Sequence, residues 1–82
     1  MNAQSGNAVM DRMRLREVDV RDMLCAQALA VVAEAMARLQ AGEDGLDVIM
    51  STDDVRWDME AWARQKHFSA EAVEPLRLRI RP

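Results

Sequence analysis

Two residue types that most often carry covalent or metal chemistry are nearly missing from this chain. Of its 82 residues, one is cysteine, Cys25, and one is histidine, His67. A lone cysteine has no partner for an internal disulfide, which excludes a stapled secreted mini-protein. One cysteine and one histidine cannot build a Cys/His structural zinc site, so no metal and no other cofactor is expected. Long apolar runs are also missing. The longest, Ala28 to Ala33, is far too short to cross a bilayer, and no membrane is expected as a partner. The net charge of −3 is not that of a general nucleic-acid binder. Met1 to Asp11 lacks a basic segment followed by an apolar core, so it does not read as a signal peptide, and a cytoplasmic location is expected.

What remains is alanine, modest apolar volume and charge. Half of the residues are apolar, but thirteen are alanine and seven are methionine. Only twenty are Val, Ile, Leu, Phe or Trp, a supply that suits a thin core between two layers. Charged residues make up 30 %, distributed unevenly. Residues 42–75 hold nine acidic and three basic side chains, and residues 76–82 hold three arginines and no acid.

Residues 1–12 have no apolar period and read as a flexible N-terminal tail; 13–82 read as a single domain. Arg16 to Arg21 alternates, with Val18 and Val20 on one side, as a half-buried strand does. From Cys25 onward there is no Gly or Pro until Gly42, and the alanine content predicts a helix over 25–40. Its apolar stripe runs Cys25, Leu29, Val32, Met36, Leu39, and Gly42 is expected as its C′ residue. Leu46 to Ser51 reads as a second strand. Thr52 or Asp53 caps a second helix over 53–66 with the stripe Val55, Met59, Trp62. Phe68 to Val73 and Leu76 to Arg81 complete the pattern as strands. The order β-α-β-α-β-β predicts an α+β fold: a two-layer α/β sandwich with two helices packed on one face of a four-stranded mixed sheet. Leu29, Val32, Met36, Val55, Met59 and Trp62 are expected in its core.

Cys25 is the one strong nucleophile, and it has two readings. At the first turn of a helix, unpaired N–H groups and the dipole stabilise a thiolate, lowering its pKa. Arg21 would assist as a modulator and Asp22 would oppose. On the apolar stripe, the same residue is an inert core thiol. His67 sits at a helix end with no acid–nucleophile order around it, so it reads as a surface histidine. Asp53, Asp54, Asp58 and Glu60 read as capping and first-turn acids. Trp57 lies off its helix's stripe and is expected to be exposed. Arg77, Arg79 and Arg81 share one side of the last strand, as a solvated edge or as a binding surface for an anionic partner, RNA or an acidic protein.

The segment Val18-Asp19-Val20-Arg21-Asp22-Met23-Leu24-Cys25 resembles the opening of the TusA (SirA-like) sulfur-carrier family, roughly leucine-aspartate-x-arginine-glycine-x-x-Cys-Pro-x-Pro. Leu39 followed by Gly42-Glu43 resembles that family's helix end. Thr52-Asp53, Asp58-Met59 and Trp62 resemble its second-helix pattern. His67 falls near its glycine-histidine, and Ile80-Arg81 matches its basic strand end. The resemblance spans about residues 16–82. It implies a two-layer βαβαββ fold and a persulfide held on Cys25 in sulfur transfer. The implied partners are a sulfur donor, such as a cysteine desulfurase, and a downstream acceptor protein. Both motif prolines are replaced, since the chain reads Cys25-Ala26-Gln27-Ala28, and Asp22 stands where the family has glycine. Without proline, a helix start earlier than Cys25, capped by Asp22, is open.

A carrier needs no acid–base pair, because a persulfide is itself a good nucleophile and leaving group. The alternative is a non-catalytic interaction module on the same fold, binding protein or RNA through the open sheet face or the arginine strand. A thiol redox sensor ranks lower, since the chain holds no resolving cysteine.

Overall fold

The computed structural model describes residues 13–82; the expected tail over 1–12 lies outside them. The elements are β1 (Leu15–Asp19), α1 (Cys25–Ala37), β2 (Gly45–Ile49), α2 (Asp53–Gln65), β3 (Ser69–Glu74) and β4 (Arg77–Arg81). The four strands form one sheet in the order β1-β2-β4-β3, with β1 and β2 parallel and the other two pairs antiparallel. Both helices lie on one sheet face, as expected. No helix among the described residues is long and apolar enough to cross a membrane.

The core is made by period-two strands meeting two helical stripes. Val18 of β1 and Val20 just beyond it, Leu46 and Val48 of β2 and Met50 just beyond it, and Leu78 and Ile80 of β4 point to the helices and are buried. Val55, Met59 and Ala63 face them from α2, and Ala28 and Val32 from α1. The expected core is corrected at three positions: Leu29, Met36 and Trp62 are half-buried and pack against the core from its margins. On α1 the most buried line runs through Ala28 and Val32, because small Ala28 lets the helix approach the sheet there.

Helix α1 begins at Cys25, as expected, but ends before the expected residue 40. Its N-cap is Leu24, not Asp22: Ala28 N–H donates to the Leu24 carbonyl at 2.8 Å, and the Leu24 N–H donates to Gln27 Oε1 at 3.1 Å. Gln27 at N3 thus supplies one half of a capping box and fixes the start in the absence of proline. The helix stops at Ala37 rather than 40. Arg38 N–H is shared between the Glu34 and Ala35 carbonyls, and Gln40 N–H is taken by Glu43 Oε1 at 2.9 Å. Gly42, at φ +96°, belongs to the turn that follows and is not the C′ residue.

Helix α2 begins as read. Thr52 Oγ1 accepts from Val55 N–H at 3.3 Å, and Asp53 and Asp54 sit in the first turn. Its end is a Schellman motif: Phe68 N–H donates to the Ala63 carbonyl at 2.8 Å and His67 N–H to the Arg64 carbonyl at 3.1 Å. His67 holds the left-handed position at φ +63°. Phe68 then packs its ring 5.6 Å from that of Trp62, centroid to centroid.

Gly45 opens β2 because nothing larger fits: a Cβ there would strike the Ile80 carbonyl oxygen and approach Arg81 Cγ to 2.8 Å. The outer strand β3 is exposed at all six positions. Its register shifts between Ala72 and Glu74, leaving Val73 as a bulge. A bulge and two glutamates blunt an open edge against strand pairing.

Candidate functional site

Parallel strands β1 and β2 hand the chain to their helices at the same end of the sheet, so the two helix N-termini lie together. The loops are tied to each other. Ser51 Oγ donates to the Arg21 carbonyl, and Val20 N–H donates to the Ile49 carbonyl at 2.8 Å. Met23 N–H closes a turn onto the Val20 carbonyl at 3.1 Å. Cys25 follows as the first residue of α1. It is a free thiol, half-buried, one side packed on the core and the other reaching solvent.

The electrostatics around the thiol reverse the expected lowering of its pKa. The Cys25 pKa is raised, first by its hydrogen bond to the Asp58 carboxylate, then by partial desolvation and by the negative charges of Asp58 and Asp54. A carboxylate beside a thiol favours the protonated form, because ionisation would set two anions against each other. The dipole of α1 does not overcome this. The modulating charges therefore come from α2, not from the neighbours of Cys25 in the chain. Arg21 is turned onto Asp19, with Nε–Oδ1 at 3.0 Å and Nη2–Oδ2 at 2.7 Å. That pairing holds the Asp19 carboxyl down to about 2. Asp22 is exposed in the turn and is not among the groups that shift the thiol.

The three arginines of β4 do share one side, on the face without helices, but β4 is an inner strand and not an edge. Two of them face carboxylates on neighbouring strands. Arg77 Nη1 donates to Asp47 Oδ2 at 2.7 Å and lies 3.8 Å from Glu74; Arg79 lies 3.9 Å from Glu71. In register across the sheet run Glu17, Asp47, Arg79 and Glu71, a row of three acids around one arginine rather than a basic stripe. Arg81 makes no such pair among the described residues and lines an open cavity of about 490 Å³ with Glu43, Asp44, Ser69 and Pro82. This arrangement reduces the positive field on which binding of an anionic partner such as RNA depends.

His67 is exposed at the far end of α2, in a backbone role. Met50 and Met59 fill the core, and Met36 packs against it from the margin. Among the described residues no group of three His, Cys, Asp or Glu is arranged to hold a metal. Trp57 is exposed, as its place off the stripe implied. What residue-by-residue reading missed is the approach of Asp54 and Asp58 to Cys25. No protein-family model, curated protein or solved structure matches the chain.

Proposed function

We propose that this chain is a sulfur-carrier-type protein in which Cys25 accepts a sulfane sulfur from one protein and yields it to another. The observation that carries the proposal is the placement of Cys25. It is the first residue of α1, partly exposed, on a βαβαββ two-layer scaffold, the arrangement implied by the resemblance of residues 16–82 to the TusA-like carriers. In the loading step the Cys25 thiol loses its proton to solvent and its sulfur attacks the terminal sulfur of a donor persulfide. A Cys25 Sγ–S bond forms, the donor's S–S bond breaks, and the donor leaves as a thiolate. The sulfane sulfur keeps its oxidation state, so no outside oxidant is required. Asp54 and Asp58 slow this step by holding the empty thiol protonated. Their negative charge also disfavours anionic reagents, which suits a carrier that must not react indiscriminately.

The test is the intact mass after incubation with a cysteine desulfurase and cysteine. The expected result is a gain of one sulfur atom, removed by a reducing thiol and absent from Cys25→Ser. No gain under conditions that load a known carrier overturns the proposal. The raised thiol pKa favours a second reading in that event, an interaction module that keeps the scaffold and makes no use of Cys25 as a nucleophile.

A further inference from the structure

Four large apolar side chains lie exposed among the described residues: Leu24, Trp57, Val73 and Leu76. Single exposed apolar residues are ordinary, but the segments that carry these four all lie at the end of the sheet where α1 and α2 begin. Leu24, the most exposed at 75 %, immediately precedes the thiol. Trp57, at 57 %, lies in the second turn of α2, whose start shares that end. Val73 and Leu76 border the β3–β4 turn, which is brought to the same end where Met50 N–H donates to the Leu76 carbonyl at 3.0 Å. Apolar side chains concentrated around one site mark an interaction surface.

The charge at this end has one free sign. Asp22, Asp54 and Asp58 make no ion pair among the described residues, whereas the nearby cations are engaged: Arg21 by Asp19, Arg56 by Asp53 and Arg77 by Asp47. We infer that this end is a docking surface for a partner protein that presents apolar side chains ringed by Lys and Arg to Cys25, an inference resting on the proposal that Cys25 exchanges sulfur with a protein. A second copy of the chain is the poorer occupant, because it would bring the same unpaired carboxylates face to face.

The probes are two peptides, Lys-Lys-Leu-Cys-Leu-Lys-Lys and its counterpart with Glu for every Lys, each activated as a mixed disulfide with thiopyridine. The Cys25 thiolate attacks the peptide sulfur, an S–S bond to the peptide forms, and the thiopyridine leaves as a chromophore. At low salt the Lys peptide is expected to react roughly tenfold faster than the Glu peptide or more, with the ratio falling as salt rises. Asp22→Asn with Asp54→Asn should shrink that ratio. Leu24→Ser with Trp57→Ser should slow the Lys peptide relative to iodoacetamide, which corrects for thiol reactivity; all four positions are exposed, so folding is retained. A ratio near one at low salt, or apolar replacements without effect, overturns the docking surface. Charge selectivity without sulfur uptake would sink the carrier reading alone, and sulfur uptake without selectivity would sink the docking surface alone.

Discussion

His67 offers a direct test of how the chain leaves α2. At φ +63° it occupies the left-handed position of a Schellman motif, and its side chain is exposed. A residue with a Cβ pays roughly 1–2 kcal/mol in that conformation. Glycine removes this cost but gives the unfolded chain more freedom, worth about 0.4–1 kcal/mol. His67→Gly is therefore expected to stabilise the protein by about 0.5–1 kcal/mol. In a domain of this size that raises Tm by about 2–8 °C. His67→Ala keeps the Cβ and should give no such gain, which separates backbone relief from loss of the imidazole. The assay is paired thermal and urea unfolding followed by circular dichroism, with an unchanged urea slope as the check that both variants unfold alike. If the glycine variant is no more stable than the parent, or the alanine variant equals it, the left-handed assignment at residue 67 is wrong.

Other consequences are equally open to measurement. Met59 is fully buried between α2 and the sheet, so Met59→Ala should cost about 2–5 kcal/mol, read as a lowered urea midpoint. At 0.05–0.15 kcal/mol per residue, the whole fold has only about 4–12 kcal/mol to lose. Gly45→Ala should break the β2–β4 pairing at its first rung, because the new Cβ meets the Ile80 carbonyl; unchanged stability and amide exchange along β4 would contradict that contact. Alkylation of Cys25 by iodoacetamide should have its pH midpoint above the ordinary cysteine range. Asp58→Asn should move the midpoint down, and Asp22→Asn should leave it nearly in place. A midpoint below the ordinary range would refute the assignment of the carboxylates. Since the folded Cys25 pKa lies above the unfolded one, the same shift favours folding at neutral pH, and that contribution is lost as pH rises through the folded value.

Most of the architecture was legible because it rests on period and composition. Val18 and Val20 and the pair Leu78, Ile80 alternate with charged neighbours, Leu46, Val48 and Met50 alternate with Asp47 and Ile49, and all seven are buried. Errors fell where local hydrogen bonds decide an end. The C-terminus of α1 was read from Gly42, but Glu43 takes the Gln40 N–H and closes the turn from outside the helix. The N-terminus fell at Cys25 as expected, and Gln27 at N3 holds it with half a capping box. Trp62 was expected inside because it continues the stripe of Val55 and Met59. Its ring instead lies at the margin, where it closes against Phe68.

The electrostatic half of the site was also within reach of the sequence, through topology rather than through neighbours in the chain. Arg21 and Asp22 were weighed as modulators because they stand within four residues of Cys25. Yet β1 and β2 are parallel and both helices cover the same face, which obliges α1 and α2 to start at the same end of the sheet. The acids at the start of α2, chosen for capping and dipole, are then carried next to the first turn of α1. Asp54 and Asp58, one helical turn apart, reach Cys25 by that route. Acids that stabilise one helix start thereby oppose ionisation at the other. On the proposed carrier reading, a cysteine at the first helix start with acids at the second makes a thiol that stays protonated until a partner displaces the local field. A cationic partner does that directly: its charge offsets Asp54 and Asp58 and lowers the cost of the thiolate on contact. The docking surface and the suppressed thiol are then two consequences of one arrangement. Loading should accordingly be faster from a donor whose persulfide sits among lysines and arginines than from a small anionic persulfide, and the difference should fade with salt. Equal rates from the two donors at low salt would break the link between them.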